Sequence, residues 1–273
     1  MIPDGPYLDM HTHILPGIDD GSVSMEQTRN MLRQAYEEGI RYIIATPHYG
    51  IRNPGLSMDY AEEILEEVQK EADRITPGMR LLLGCELFYT DGIVQSLKRD
   101  EARTMAGTSY ALVEFSTRDP YSRILKCVNE FTWNGYIPLI AHAERYRCLE
   151  GNLENVYELA ELGAVIQINC RSFTGGRSKT GSENNMRRTG IFHRQTRQMD
   201  AAFYLEQKTE WAMQMLDAGL VHLIGSDCHD DGMRRPVYRE ALQAMYQRCV
   251  EETMYHITRE NVMHFLRNEP IVW

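Results

Sequence analysis

Three things are scarce in this chain. Its 273 residues carry 29 Lys and Arg against 39 Asp and Glu, a formal net charge of -10. A general nucleic-acid binder needs the opposite balance, so a phosphate-backbone partner is disfavoured. The six cysteines (Cys85, Cys127, Cys148, Cys170, Cys228 and Cys249) form no C-x-x-C pair, which argues against a zinc ribbon or a thioredoxin-type site. Several lie in apolar, strand-like runs, where a free thiol acts as a small hydrophobe. No segment approaches the apolar length needed to span a bilayer. The opening Met1-Ile2-Pro3-Asp4-Gly5 lacks a basic flank and an apolar core of signal length, so a reducing, cytoplasmic setting is expected.

What is present is a regular alternation. The hydrophobic fraction of 43% suffices for one large core, and residues 1–273 read as a single domain. Short apolar runs predict strands at Tyr7–His11, Tyr42–Thr46, Leu81–Leu87, Tyr110–Phe115, Ile137–His142, Val165–Asn169 and Val221–Asp227. Amphipathic runs predict helices near Ser24–Glu38, Met58–Ile75, Pro120–Asn134, Leu153–Leu162, Gln198–Ala218, Val237–Glu251 and Arg259–Leu266. Ser24 fits an N-cap with Gln27 in capping-box position, and Gly39 and Gly135 fit helix ends. Strands that alternate with helices imply parallel pairing and an α/β barrel, whose active end is the C-terminal rim of the strands. The segment 171–197 breaks the rhythm. It is polar, Gly/Ser-rich and basic, and reads as a mobile surface loop, with a lid or docking loop for an anionic substrate as the functional alternative.

Polar outliers stand at the predicted strand ends. They are His11 and His13 in His-x-His, Asp20, His48 in Thr-Pro-His, Glu86 in Gly-Cys-Glu, Glu114, His142, and Asp227 and His229 in Asp-x-His. Each motif alone is weak. Nine imidazoles and carboxylates at one barrel end suit a cluster of divalent cations better than one ion, and imply metal-dependent hydrolysis. In an extended strand, His11 shares a face with His13 and Asp227 with His229, while Cys228 points away. Cys228-x5-Arg234 superficially fits a cysteine-phosphatase loop. Asp227 before the cysteine and the lack of intervening glycine-rich character argue against it.

With these motifs in this order, the chain resembles the PHP-domain (polymerase and histidinol phosphatase) superfamily. More narrowly, it is similar to the manganese-dependent protein-tyrosine phosphatases of the CpsB/YwqE/CapC type. The resemblance rests on His11-Thr-His-Ile-Leu-Pro-Gly-Ile-Asp-Asp-Gly21, Ala45-Thr-Pro-His48, Gly84-Cys-Glu86, Ile140-Ala-His-Ala-Glu-Arg-Tyr146 and Gly225-Ser-Asp-Cys-His229. It implies a distorted (β/α)7 barrel with three divalent ions, Mn2+ first and Fe2+ or Zn2+ as alternatives. His11, His13, Glu86 and Asp227 would hold one ion. Glu86 would bridge to a second, held by Glu114 and His142, and Asp20, His48 and His229 would hold the third. Asp19 would support its loop. Arg145 and Arg235, with Arg234 as the alternative to the latter, would grip phosphate, and His229 is a candidate proton donor. A cation-activated water would attack phosphorus directly. The implied substrate is the phosphotyrosine tail of a bacterial tyrosine kinase that controls capsular or exopolysaccharide synthesis. Oligomeric state is left open. Two alternatives stand beside this reading. One is another PHP phosphoesterase, such as a histidinol-phosphate phosphatase or an exonuclease-like member. The other is a non-catalytic, metal-stabilised regulatory module.

Overall fold

The computed structural model describes residues 5–175 and 205–271. Nine short strands, all paired in parallel, are β1 Tyr7–Thr12, β2 Ile40–Ala45, β3 His48–Tyr49, β4 Arg80–Leu83, β5 Glu86–Phe88, β6 Tyr110–Glu114, β7 Ile137–Ile140, β8 Val165–Asn169 and β9 Leu223–Gly225. They form a sheet β1-β2-β4 and a sheet β3-β5-β6-β7-β8-β9. The backbone bonds Gly84 N to Ala45 O (2.9 Å) and Glu86 N to Pro47 O (3.0 Å) carry one ladder into the other. At the far side, Asp227 N donates to His11 O (2.8 Å) and His13 N to Cys228 O (2.9 Å), which joins the end of the last strand to the first. The sheet curls back on itself as a distorted α/β barrel with seven positions around the rim. The expected strand Leu81–Leu87 is two strands, interrupted at Gly84 and Cys85, and β2 is likewise followed by a separate β3.

Helices α1 Met25–Glu37, α2 Met58–Ile75, α3 Ile93–Lys98, α4 Tyr121–Trp133, α5 Leu153–Glu161, α6 (205–217), α7 Tyr238–Tyr246, α8 Glu251–Tyr255 and α9 Asn261–Leu266 surround the strands. In α1, Thr28, Met31, Leu32 and Ala35 are buried, the i, i+3, i+4, i+7 stripe of a helix lying on a sheet. Ser24 caps it, its Oγ accepting from Gln27 N at 3.3 Å. The short α3 was not expected, and the single helix expected over Val237–Glu251 breaks after Tyr246 and restarts at Glu251. A π-turn, His256–Glu260, leads into α9. Of the basic segment 171–197, only 171–175 lies within the described residues.

Two apolar layers follow from strand alternation. Leu8, Met10, Ile44, Leu112, Leu139 and Leu223 fill the barrel interior, closed below by Met105, Tyr110 and Phe265. Tyr7, Ile43, Val113, Ile140, Ile166 and Ile224 face outward against the helices. Because the interior is packed solid with aliphatic side chains, polar groups can converge only above it, at the strand C-termini.

Candidate metal centre

β1 delivers two imidazoles through an irregularity. Its register against β2 shifts between Asp9 and Thr12, a bulge that re-aims the strand end. His11 and His13 then point their Nε2 atoms at each other, 3.2 Å apart. The last strand must pass very close: a Cβ on Gly225 would lie 2.7 Å from His11 Cβ, so only glycine fits. The loop after β1 folds back equally tightly, where a Cβ on Gly21 would lie 2.1 Å from His13 O.

Each imidazole is oriented from behind. Asp19 Oδ2 accepts from His13 Nδ1 (2.7 Å) and from His48 N (3.0 Å), while its Oδ1 accepts from Gly21 N (2.9 Å). Asp19 thus holds His13 with its Nε2 facing the cluster and ties the loop at Gly21 to His48. Burial opposes its charge, but the His13 bond prevails and holds Asp19 below the ordinary carboxylate range. Gln167 Oε1 lies 3.3 Å from His11 Nδ1 and accepts from His142 N at 2.8 Å. Gln167 Nε2 donates to Asn169 Oδ1 (3.0 Å), and Asn169 Nδ2 to Asp227 Oδ2 (2.7 Å). The sequence reading missed Gln167 and Asn169. Their signal was two alternating amides inside the apolar run Val-Ile-Gln-Ile-Asn.

Glu86 occupies the middle. Its Oε2 lies 3.3 Å from the Nε2 atoms of both His11 and His13 and 3.0 Å from His48 Nδ1, and its Oε1 lies 2.8 Å from His142 Nε2. Asp227 Oδ1 lies 3.7 Å from His11, 3.5 Å from His13 and 3.5 Å from His229 Nδ1. Asp20 Oδ1 is 3.3 Å from His48 Nε2 and 3.5 Å from His229 Nε2. Glu114 Oε1 lies 3.5 Å from His48 Nδ1. All nine expected ligands therefore meet in one cluster. Ligand atoms converge within 4.8 Å in three groups: His13, Asp20, His48 and His229; His11, His13 and Asp227; and His48, Glu86 and Glu114. This grouping differs from the one the resemblance implied, because His13 joins the Asp20 group, Glu86 stands with His48, and His142 reaches the cluster through Glu86.

Two of the candidate ligands come from strained backbone. His142 and Asp227 take φ of +34° and +50°, the left-handed region that non-glycine residues avoid. Both lie just beyond their strands. Cys228 does not lie in an extended strand as expected, since β9 ends at Gly225 and Asp227 is left-handed. Cys228 is buried in the layer between sheet and helices, and burial pushes its thiol up to about 12.

The close packing of imidazoles and carboxylates shifts their titration in opposite directions. Burial disfavours charge on His11 and His13, but the carboxylates around them raise both, His13 well above its ordinary value. Burial also disfavours charge on Asp227, which Arg145 and His11 nonetheless hold well below the usual range. Burial and the neighbouring Glu86 push Glu114 up to about 7. Burial, with Arg145, lowers His142 to about 4; burial, with His13, lowers His229 to about 3. The buried His48 Nδ1 and Glu114 Oε1 make no hydrogen bond. Both stand beside an ionic neighbour instead, Glu86 Oε2 and Arg52 Nε each at 3.0 Å, and the mixed imidazole and carboxylate donor set fits divalent cations.

Guanidinium groups line one side. Arg145 Nη2 donates to Asp227 Oδ2 at 2.6 Å. Arg234 Nη2 approaches Asp227 at 3.4 Å and 3.5 Å. Arg235, the residue preferred from the resemblance, lies instead against Glu38 (3.9 Å) and Glu240 (3.6 Å). His229 N donates to Arg234 O (3.1 Å), closing the 229–234 loop so that Arg234 faces in and its neighbour out. Arg52 was also missed. Its Nε lies 3.0 Å from Glu114 Oε1, with the guanidinium over the Phe88 ring. No spacing in the sequence singles it out.

Fold and site together define an α/β-barrel protein of the metal-dependent hydrolase class. The chain belongs to the CpsB/CapC family of capsular polysaccharide synthesis, whose family model matches residues 7–194 and 205–267. It is 28% identical over 268 residues to the tyrosine-protein phosphatase CpsB of Streptococcus agalactiae, covering 97% of this chain and 100% of that one. It is 29% identical over 272 residues to the tyrosine-protein phosphatase YwqE of Bacillus subtilis, covering 97% and 93%. The crystal structures of YwqE from Bacillus subtilis and CpsB from Streptococcus pneumoniae, described as unique metal-dependent tyrosine phosphatases, include a chain that superposes with a TM-score of 0.80 at 27% identity, over 97% of this chain and 96% of that one. The phosphotriesterase homology protein of Escherichia coli shares the fold alone, with a TM-score of 0.56 at 14% identity over 96% and 99% of the two chains.

Proposed function

We propose that the chain is one metallophosphatase domain that hydrolyses phosphotyrosine, working in capsular or exopolysaccharide synthesis. The observation that carries this is the convergence of eight imidazole and carboxylate side chains in three groups, with His142 against Glu86 at 2.8 Å, beside two guanidiniums on Asp227. His11, His13, Asp20, His48, Glu86, Glu114, His142, Asp227 and His229 would hold three divalent ions, Mn2+ first. Bound there, the ions would supply Lewis-acid charge to the ester and make a water nucleophilic at neutral pH.

The chain's own groups do the rest. Arg145 and Arg234 present planar N–H forks to the phosphate oxygens, and Asp227 keeps both from folding away. Asp19, Gln167 and Asn169 fix the ligands before substrate arrives, so little reorganisation is left for the reaction. A phenolate leaving group, with a conjugate acid near pKa ~10, needs less protonation than an alkoxide. The substrate would be the flexible phosphotyrosine tail of a bacterial tyrosine kinase, and the setting cytoplasmic. No helix among the described residues is long and apolar enough to cross a membrane.

The test is a side-by-side assay of metal-stripped and Mn2+-loaded protein on a phosphotyrosine peptide, histidinol phosphate and a DNA oligonucleotide. Metal-dependent turnover should be fastest on the peptide. Preference for histidinol phosphate would move the protein to another phosphoesterase branch. Loaded protein inert toward every phosphomonoester would leave a regulatory module.

A further inference from the structure

Asp20 is the outlying ligand. Its side chain is 64% exposed, and among the described residues it approaches only the imidazoles of His48 and His229. Nothing local to its carboxylate holds it, so its place depends on how the 13–23 segment and the 229–234 loop are set relative to each other. α1 lies against both. Ser22 Oγ bonds Thr28 Oγ1 (2.8 Å), and Thr28 Oγ1 donates to Ile14 O (2.8 Å), which pins the first segment to the helix.

On an adjoining stripe of the same helix stand Gln27, Asn30 and Gln34, spaced i, i+3, i+7. Gln27 Nε2 donates to Asp231 Oδ1 (3.2 Å), Asn30 Nδ2 to Asp231 Oδ2 (2.8 Å), and Gln34 Nε2 to Asp231 O (2.8 Å). Three amides thus converge on one residue of the other loop. That loop is itself a closed ring. Asp230 Oδ1 accepts from Gly232 N (2.7 Å) and Arg234 N (2.8 Å), and His229 N donates to Arg234 O (3.1 Å). Holding Asp231 therefore holds the ring's two working members, His229 and Arg234. Gln27 also faces the first segment, its Oε1 accepting from Val23 N at 2.8 Å. One side chain links both loops.

We propose that Gln27 and Asp231 form a strut that positions Asp20 against His229 and aims Arg234 inward. Gln27 and Asp231 are positioning residues, acting through the groups they hold. The inference rests on the metallophosphatase reading for its kinetic consequences, but not for its structural ones.

The test uses the full chain with Gln27→Ala, Asp231→Ala and Asp231→Asn. Asparagine at 231 keeps an acceptor for Gln27 and, after an amide flip at Asn30, a donor in place of the second acceptor. Amide hydrogen exchange of 229–235 in metal-stripped protein should quicken in Asp231→Ala and return toward wild type in Asp231→Asn. Calorimetric titration with Mn2+ alone should show one class of sites weakened about 10-fold in both alanine variants. In Mn2+-saturated protein, KM for p-nitrophenyl phosphate should rise about fivefold or more with kcat within about threefold, the mark of weakened ground-state binding. Unchanged exchange in Asp231→Ala would overturn the strut. So would equal damage from alanine and asparagine, which would make Asp231 a matter of charge. If wild-type protein failed to turn over any phosphomonoester, exchange would still decide the strut while the functional reading fell separately.

Discussion

Removing one arginine at a time from the 234–235 pair tests the orientation of the whole catalytic rim. Arg234 Nη2 lies 3.4 Å from Asp227 Oδ1, with its side chain 40% exposed. Among the described residues, Arg235 has no ion pair with a candidate ligand; it pairs with Glu38 and Glu240 at 3.9 Å and 3.6 Å and donates to Pro236 O at 3.3 Å. A hydrogen bond to a charged group contributes about 1.5–3 kcal/mol, and partial exposure of Arg234 favours the lower half of that range. Arg234→Ala should therefore lower kcat/KM about 10- to 30-fold on a phosphotyrosine peptide at saturating Mn2+. Arg234→Lys should fall between, because it keeps the charge but loses the fork. Arg235→Ala breaks two long, partly exposed pairs, each worth about 1 kcal/mol or less, and should leave kcat/KM within about threefold. Metal content by elemental analysis must match wild type in all three variants, so that a missing ion is not mistaken for a missing grip on phosphate. If Arg235→Ala is the more damaging substitution, the loop is read with the wrong side facing in. If neither matters, Asp227 does not mark the phosphate position.

Other consequences follow from the same geometry. Cys228→Ser should retain kcat within about threefold, since a buried thiol pushed up to about 12 is no nucleophile; near-total loss with metals bound would restore the cysteine mechanism. Gln167→Leu removes the group that orients both His11 and the His142 backbone, and should weaken Mn2+ binding about 10-fold by calorimetry; unchanged affinity would make the amide a bystander. His222 is buried far from the ligands, and burial lowers it to about 3. The fold thus favours its neutral form, so its contribution to stability is complete above its unfolded value near 6.5 and declines as pH falls toward 3. From pH 7.5 to 5 that contribution should shrink by about 2 kcal/mol. Urea unfolding of His222→Gln should show a correspondingly smaller acid loss than wild type, and equal losses would refute it.

Much of this protein is written locally. Alternating apolar and amphipathic runs specify parallel strands and covering helices, because burial periodicity differs between the two and survives without tertiary context. Met58–Ile75 matches its helix residue for residue, and the ligand types at the strand ends are visible because charged and imidazole side chains stand out against apolar strands. The boundaries are less legible. The break at Gly84 and Cys85 and the end of β9 at Gly225 depend on which neighbouring strand supplies the hydrogen bonds, and that is a non-local fact. The same holds within the site. Asp227 and His142 reach the axis only through left-handed backbone, which no propensity favours and which the surrounding packing must impose.

The sequence by itself therefore determined the fold class, the nine candidate ligands and the family. Side-chain chemistry and its order along the chain are covalent properties, present before folding. Only the tertiary structure decided that Arg234 and not Arg235 faces Asp227, that Gln167 and Asn169 stand behind the ligands, and that α1 ties two rim loops together. Those relations join residues brought together by barrel closure, where a rotation of one residue exchanges inside for outside and neighbours in space, such as Gln27 and Asp231, lie 204 positions apart in the chain.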